Sequence, residues 1–227
     1  MKKIFKDWSI FEIILLITSP LVVFVVGIVF ESDVLTIITS IVGIICALLL
    51  AKGLVLGQVF GIAIVVLYSI VSFKNGFYGE MLIYLIIMLP MFIWGIVEWL
   101  KHKDGETKGV KVNSIKWKEW LIVAICSIIV FIGSYLLLKA LNTKELIVST
   151  LSVVDNIFAV YLLARRSKYG FVSCIVNDLI LIVLWGIPII QGNLLLLAML
   201  INPIMNLIND TYGVINWTKM QRKQKTE

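Results

Sequence analysis

Residues 13–30 read IILLITSPLVVFVVGIVF, a run of eighteen positions without a charged side chain. A helix of this length is long enough to cross the hydrocarbon core of a bilayer, which is roughly 30 Å thick, because each helical residue adds about 1.5 Å. Seven more apolar segments follow, so we predict an all-α polytopic membrane protein with eight transmembrane helices. The predicted segments are about 9–30, 34–51, 54–73, 77–100, 119–141, 145–164, 168–190 and 194–217.

The composition supports a membrane protein. Of the 227 residues, 60% are hydrophobic and 15% are charged, whereas soluble domains are about half apolar and a quarter charged. Helices are favoured over strands because an open sheet edge cannot lie in hydrocarbon. The net charge of +6 would suggest a nucleic-acid partner in a soluble protein. Here the basic residues lie in short connections between apolar runs, so the expected partner is the lipid bilayer and no nucleic acid is expected.

The Lys and Arg residues divide unequally between the two sides that eight crossings define. Seventeen of the 20 lie on the side that holds both chain ends, and only Lys74, Lys139 and Lys144 lie on the other. The side richer in Lys and Arg is normally the cytoplasmic one. We therefore predict a multi-pass protein of the cytoplasmic membrane with both termini in the cytoplasm.

The chain contains an internal repeat. Residues 49–52 (LLAK) match residues 162–165 (LLAR) at a distance of 113 residues, and residues 94–99 (WGIVEW) resemble residues 212–217 (YGVINW) at a distance of 118. Each repeat contains three predicted helices, and the helix at 119–141 lies between the repeats. An intervening crossing makes the two repeats parallel, related by an axis along the membrane normal, as in transporters whose halves rock about a central site.

The repeat predicts how the chain is organised. We expect an arrangement of 1 + (3+1+3) helices, in which one additional helix precedes two three-helix units that are joined by a linking helix. The predicted divisions are the additional N-terminal transmembrane helix at 1–32, the first three-helix unit at 33–100, a basic cytoplasmic loop with the linking helix at 101–144, the second three-helix unit at 145–217 and a basic cytoplasmic tail at 218–227.

Polar residues inside the predicted helices are candidates for a binding site, because such residues usually face a cavity or a partner. The clearest pattern is on the last helix, where Asn202, Asn206, Asn209 and Asn216 form one stripe with Asp210 beside it, and where Pro203 frees a backbone carbonyl. Amides, carboxylates and aromatic rings together suit a flat heterocycle joined to a sugar. The candidate substrate-binding residues are Asn177, Asp178, Asn202, Asn206, Trp185, Asp155, Asn156, Gln58, Phe60, Tyr84 and Trp94.

Several of these residues have a second interpretation. Amide and small side chains also join neighbouring helices in membrane bundles. Glu80, Glu98 and Asp210 lie near helix ends, where they either contribute to a site or reach interfacial water, and Glu12 is expected at the interface. The tryptophans at helix ends are expected to form an aromatic belt at the membrane surfaces. They are Trp99, Trp117, Trp120 and Trp217.

Other functional classes are disfavoured. His102 is the only histidine, and neither a Gly-x-Ser-x-Gly elbow nor a Walker motif is present. Cys46, Cys126 and Cys174 all lie in apolar segments and are expected to be reduced packing residues. We therefore expect neither an enzyme nor an ATP-driven pump, and no cofactor or metal ion.

The chain resembles the PnuC family of bacterial vitamin transporters over roughly residues 34–221. The resemblance rests on the 3+1+3 plan, on FKNGFYGE at 73–80 and on YGVINW at 212–217 with its basic tail. It implies uptake of a nucleoside-like small molecule by facilitated diffusion, with a fold similar to that of SWEET sugar transporters. Family members take up nicotinamide riboside, and relatives take thiamine, riboflavin or deoxynucleosides. The resemblance also implies a functional link to a cytoplasmic kinase that traps the solute, and it leaves a homo-oligomer open.

This sequence departs from the aromatic-x-x-x-Asn pattern that nicotinamide riboside carriers have in each unit. Residues 60–64 (FGIAI) keep the aromatic residue and lose the amide, whereas residues 173–177 (SCIVN) keep the amide and lose the aromatic residue. A larger base, such as that of a purine deoxynucleoside, is therefore a candidate beside nicotinamide riboside. Proton coupling is an alternative because Asp155 and Asp178 could titrate if they were buried together, but we expect uncoupled transport.

Overall fold

A computed structural model describes residues 8–74, 78–104, 109–142, 146–192 and 197–226. Within these ranges the chain is helical, and its only β contact is an isolated bridge between Lys103 and Val110. The elements are α1 (Ile10–Val29), α2 (Val34–Ala51), α3 (Val55–Lys74), α4 (Tyr78–Ile83), a π-helical turn (Tyr84–Met88), α5 (Leu89–Lys101), α6 (Trp117–Ala140), α7 (Leu146–Ala164), α8 (Tyr169–Ile190) and α9 (Leu197–Thr226).

The protein is a polytopic α-helical membrane protein, as predicted. Six helical segments of the described chain are long and apolar enough to cross a bilayer, and α8 is apolar over a shorter stretch, Tyr169–Val183. The predicted segments agree with the observed helices to within a few residues, except at the end of the chain. There α9 continues through Thr226, so the predicted tail at 218–227 is helical over its described part.

Local sequence explains where two of the helices begin and where one segment departs from α-helical geometry. Ser9 caps α1 in a reciprocal pair with Glu12, and the carboxylate of Asp33 accepts the backbone N–H of Leu35 at the start of α2. The segments α4, the π-helical turn and α5 follow one another without a break. Pro90 stands just after the π-helical turn, where its missing N–H and its ring disfavour a regular α-helical bond.

Six helical segments form a closed ring. Along the ring, α2 contacts α3, α3 contacts α5, α5 contacts α7, α7 contacts α8, α8 contacts α9, and α9 contacts α2. Helix α1 packs outside the ring against α2 and α9, and α6 packs outside it against α7. The ring therefore consists of a first row, α2–α3–α5, and a second row, α7–α8–α9, that meet at two seams.

The repeat seen in the sequence recurs in the packing. A Cβ atom added at Gly57 would lie 2.7 Å from the backbone N of Leu50, and one added at Gly170 would lie 2.6 Å from the Leu163 side chain. The two glycines are 113 residues apart, and so are the two leucines. In each row, therefore, the first two helices come into close contact at a glycine, because a larger residue there would collide with the leucine of the preceding helix.

Two tryptophans connect the rows to each other. The indole N–H of Trp99 donates to the carbonyl of Leu163 at 2.8 Å, and that of Trp217 donates to the carbonyl of Leu50 at 3.1 Å. The two ring centroids are 5.5 Å apart, and both side chains have an exposed fraction of 0%. The prediction of an aromatic belt was therefore wrong for Trp99 and Trp217, because they bind carbonyls inside the protein.

The chain also covers the end of the ring at which these tryptophans lie. Lys52, Lys101 and Arg165 lie there too, and we call it the basic end. Val110, from the connection between α5 and α6, is completely buried and packs in the same core cluster as both tryptophans. Gln224 of α9 holds this connection, because its side chain bonds the N–H of Val112 at 2.9 Å and the carbonyl of Val110 at 3.3 Å.

Helix α1 is attached to the ring through a buried carboxylate. Glu12 is only 4% exposed; Lys52 lies 2.8 Å from it, and the Tyr212 hydroxyl donates to it at 2.5 Å. The interfacial position expected for Glu12 was therefore wrong. Its charge is accommodated because a cation from α2 and a hydroxyl from α9 both reach it.

Replacing Trp217 with Phe tests how much the indole hydrogen bonds between the two rows contribute to stability. The substitution keeps an aromatic ring in the core but removes the N–H that reaches Leu50. We expect the free energy of unfolding to fall by about 1–3 kcal/mol, because one net hydrogen bond is lost and the smaller ring leaves a cavity at a fully buried site. The Leu50 carbonyl keeps its bond from the Gly53 N–H. Thermal unfolding in detergent measures the change. Trp117→Phe is the control, since Trp117 is 78% exposed, and equal shifts in both variants would contradict the assignment.

Candidate binding site in the helical ring

A polar stripe on α9 faces the interior of the ring. Asn202, Asn206 and Asn209 continue the line of Gly213 and Trp217, which pack against Phe171 of α8. Asn209 is 0% exposed and neither atom of its amide has a hydrogen-bond partner among the described residues. The side-chain oxygens of Asn202 and Asn206 are likewise buried and unpaired.

The first row presents a different surface at the corresponding positions. The residues 118 positions earlier than the three asparagines are Tyr84, Met88 and Met91. The Tyr84 ring stacks on Tyr68 with centroids 4.4 Å apart, and Met88 is 3% exposed in an apolar cluster with Phe92. The last helix of the second row therefore carries amides, whereas the residues at the matching positions of the first row are aromatic and apolar.

Two carboxyl groups meet between α8 and α9. Asp178 and Asp210 are 4% and 5% exposed, and their side chains are hydrogen-bonded to each other. The Asp178 Oδ2 atom is buried without a partner among the described residues. Asp210 therefore does not reach interfacial water. The corresponding residue of the first row is Phe92, whose ring lies where a Cβ atom at Gly61 would come within 2.1 Å.

Asn177 and Asn156 make contacts that join helices or stabilise their own helix. The Ser152 hydroxyl donates to Asn177 Oδ1 at 2.7 Å, which connects α7 to α8. The Asn156 amide donates to the Ser152 carbonyl at 3.2 Å within α7. The packing interpretation therefore accounts for these contacts.

Asp155 lies at an outer seam of the ring. The Ser173 hydroxyl donates to its Oδ1 at 2.8 Å, and both residues line a groove of about 410 Å³ between α6, α7 and α8. Trp120 and Tyr169 form an edge-to-face pair in the same groove, with centroids 5.2 Å apart. The groove is thus separate from the amide stripe, which faces the ring interior.

The remaining candidate residues lie in different surroundings. Gln58 is 0% exposed beside Gly95, and both its side-chain polar atoms lack partners in the described part of the chain. Phe60 packs against the core cluster of the basic end, and Trp94 stacks on Tyr161 with centroids 5.9 Å apart, which joins α5 to α7. The side chain of Trp185 lies outside the described residues, as does that of Glu80.

Glu98, the third acidic residue near a helix end, forms ion pairs at the basic end. Its carboxylate lies 3.1 Å from Arg166, and the Arg166 guanidinium also donates to the carbonyl of Lys111 at 3.0 Å. Burial lowers the pKa of the Arg166 guanidinium, and the Glu98 carboxylate opposes this shift. Glu98 therefore helps to hold the α5–α6 connection over the ring.

The ring interior is rich in unpaired hydrogen-bond acceptors. Buried polar groups almost always have partners in native proteins, so several unpaired groups in one region indicate bound water or a ligand. The atoms are the oxygens of Asn202, Asn206, Asn209 and Asp178. In the described ranges no group of three His, Cys, Asp or Glu side chains is arranged to hold a metal ion. The arrangement suits a small solute that supplies hydrogen-bond donors.

Asn209 and Asp210 were not among the predicted substrate-binding residues. Asn209 belonged to the recognised stripe, and the repeat supplied a signal for Asp210, because it aligns with the apolar Phe92 of the first unit. A carboxylate at the position of a core phenylalanine indicates a change of local function, which comparing the two units position by position would have detected.

Comparison with known proteins extends these observations. Residues 33–219 match the family model described as nicotinamide mononucleotide transporter. The chain is 28% identical over 229 residues to the nicotinamide riboside transporter PnuC of Neisseria mucosa, covering 98% of this chain and 86% of the relative. It is 26% identical over 195 residues to the protein of the same name from Haemophilus influenzae, covering 83% and 81%.

A solved structure is also similar. The crystal structure of the vitamin B3 transporter PnuC superimposes with a TM-score of 0.80 at 28% identity, and the match covers 98% of this chain and 96% of that one. The likeness therefore includes α1 and α6 as well as the six segments of the ring.

Two asparagines of α9 test whether the amide stripe is needed for folding. Asn209 has no described partner, whereas the amide of Asn216 donates to the Ala51 carbonyl at 2.9 Å. We expect Asn209→Leu to leave the melting temperature of the ligand-free protein unchanged or raised, because an unpaired buried amide is removed. Asn216→Leu, the matched control, should lower the free energy of unfolding by about 1 kcal/mol. Thermal unfolding in detergent distinguishes them, and equal destabilisation would show that Asn209 is a packing residue.

Proposed function

The chain belongs to the nicotinamide mononucleotide transporter family, which confirms the resemblance to PnuC proteins, and we propose that it carries an unphosphorylated nucleoside-type solute across the membrane. The solute is nicotinamide riboside or a ribo- or deoxyribonucleoside. The observation that carries the proposal is the set of buried amide and carboxyl oxygens on α8 and α9 that have no partner among the described residues. The first row adds the stacked Tyr68 and Tyr84 rings. A sugar supplies donors to the oxygens, and a flat base suits the rings.

The charges around the ring support a solute without phosphate. Phosphate groups are normally bound by Arg, Lys or helix N-termini. In the described part of the chain Lys52 binds Glu12 outside the ring, and Arg165 and Arg166 bind Glu119 and Glu98 at the basic end. No cation therefore accompanies the amide stripe, which favours the riboside over the mononucleotide.

The arrangement that we propose for the membrane has eight crossings in the order 1 + (3+1+3). The units are those predicted from the sequence: 1–32, 33–100, 101–144, 145–217 and 218–227. The ring of two rows, with α1 and α6 outside it, supports this division. The excess of Lys and Arg at the basic end supports a cytoplasmic position for that end, in the cytoplasmic membrane with both termini inside.

Alternating access follows from the same arrangement. The rows meet at the seams α2–α9 and α5–α7, and near the basic end they exchange the bonds of Trp99 and Trp217. Parting the rows there would break both bonds and open the amide stripe to the cytoplasm. Transport is facilitated diffusion, and a cytoplasmic kinase consumes the product. The apolar outer face of α6, where Ile125 and Ile129 are exposed, is available to lipid or to a second copy of the chain.

A thermal-shift panel on the purified protein tests the substrate class. The ligands are nicotinamide riboside, nicotinamide mononucleotide, ribo- and deoxyribonucleosides, thiamine and riboflavin. We expect a riboside or nucleoside to raise the melting temperature, because a ligand that binds only the native state stabilises it, and the mononucleotide to have no effect. Asn206→Leu should abolish the shift, whereas Thr211→Val, on the exposed side of the same helix, should retain it. If only thiamine or riboflavin raised the melting temperature, that vitamin and not a nucleoside would be the substrate.

Uptake into liposomes tests the mechanism. For facilitated diffusion we expect the internal concentration of the solute to reach the external concentration and no more, because no second gradient drives transport. A pH step across the membrane should leave this endpoint unchanged. Liposomes that contain the Asn206→Leu variant control for leakage. Accumulation above the external concentration after the pH step would establish proton coupling and direct attention to Asp155 and Asp178.

A further inference from the structure

The Asp178–Asp210 pair has no structural role that its contacts explain. Both side chains are at least nine-tenths buried, and their carboxyl groups lie within hydrogen-bonding reach of each other. A hydrogen bond between two carboxyl groups requires one of them to carry the proton. Asp178 Oδ2 remains without a described partner, and no Lys or Arg from the described ranges forms an ion pair with either residue. A pair of leucines would be cheaper to bury in a membrane protein.

A second observation indicates that this region binds a ligand. Asn209, adjacent to Asp210 in sequence, is 0% exposed, and within the described ranges neither of its amide atoms has a hydrogen-bond partner. The unpaired oxygens of Asn202 and Asn206 lie on the same face of α9. The pair thus borders an acceptor-rich wall rather than standing alone in an apolar core.

We propose that Asp210 is a specificity-determining residue that orients Asp178, so that the free oxygen of Asp178 accepts a hydrogen bond from a hydroxyl group of the solute's sugar. This inference rests on the proposed function and names the part of the solute that the second row recognises. A hydroxyl both donates and accepts, so it matches a carboxyl oxygen beside an unpaired amide. The orienting bond matters because an acceptor fixed in position loses little entropy when it binds.

A difference between the two rows explains why the second row recognises the sugar. At the position of Asp210 the first row has Phe92, and at the position of Cys174 it has Gly61, into whose space the Phe92 ring projects. The first row therefore offers no carboxyl oxygen at this level. A solute that places its base against Tyr84 would direct its sugar toward Asp178.

Binding measurements on full-length protein in detergent test this inference. The probes are nicotinamide riboside and adenosine, each with its 2′-, 3′- and 5′-deoxy analogues, studied by isothermal titration calorimetry. In the unmodified protein we expect loss of one particular hydroxyl to raise Kd at least tenfold, because a buried acceptor is then left unpaired. In Asp210→Leu the same loss should raise Kd less than threefold.

The conservative variant separates orientation from simple packing. The side-chain oxygen of Asn at position 210 can still accept a hydrogen bond from the Asp178 carboxyl group, so Asp210→Asn should retain most of the discrimination that Asp210→Leu loses. Asp33→Asn is the control, because Asp33 is an exposed helix cap. If Asp210→Leu is not obtained folded, the inference can still be tested on the unmodified protein. It is overturned if loss of each hydroxyl in turn raises Kd less than threefold.

The remaining outcomes distinguish this inference from the proposed function. If neither parent solute nor any other nucleoside binds the unmodified protein, the proposed function fails. If the parents bind and Asp210→Leu discriminates as strongly as the unmodified protein, only the role of Asp210 fails. Binding that requires Na⁺, measured by replacing sodium chloride with choline chloride, would instead assign the pair to a cation and would also overturn the inference.

Discussion

The indole N–H groups of Trp99 and Trp217 each donate to a carbonyl at the end of a helix in the opposite row. Each carbonyl also accepts a backbone N–H just beyond its own helix, from Arg166 to Leu163 and from Gly53 to Leu50, so the indole adds a second hydrogen bond to the same oxygen. The exchange therefore pairs two buried indole donors and joins the rows in one step. The buried α5–α6 connection, held by Gln224 and Arg166, depends on this closure because it packs against the same two rings.

The internal repeat produces two rows with the same helix contacts and different interiors. Close helix contacts at Gly57 and Gly170 are preserved, as are the paired tryptophans. The lining residues have diverged: Tyr84 stands where the second row has Asn202, and Phe92 where it has Asp210. The two rows thus share a packing scheme and differ in the chemistry of the side chains on their last helices.

Hydrogen-bond partners distinguish the polar residues that hold the bundle together from those that no packing contact explains. Asn177 and Asn216 have partners on neighbouring helices, whereas Asn209 has none among the described residues. Sequence spacing could not separate them, because all three are buried or half-buried amides on helices. Sequence position was equally unable to show that Trp99 and Trp217 are buried. A tryptophan at a helix end fits both a membrane interface and a buried contact, and only the position of the opposite row decides between them.

The helices, their order and the repeat could be predicted from the amino-acid sequence, because hydrophobic length and charge distribution act on each segment independently of the others. The amide stripe of α9 could be predicted as well, since spacing along a helix places residues on a common face. Which polar groups meet depends on the packing of the helices. The pairing of Asp178 with Asp210, the attachment of Glu12 to Lys52 and the separate groove at Asp155 all join residues from different helices. Those contacts depend on how the helices are rotated and packed, which no single segment specifies.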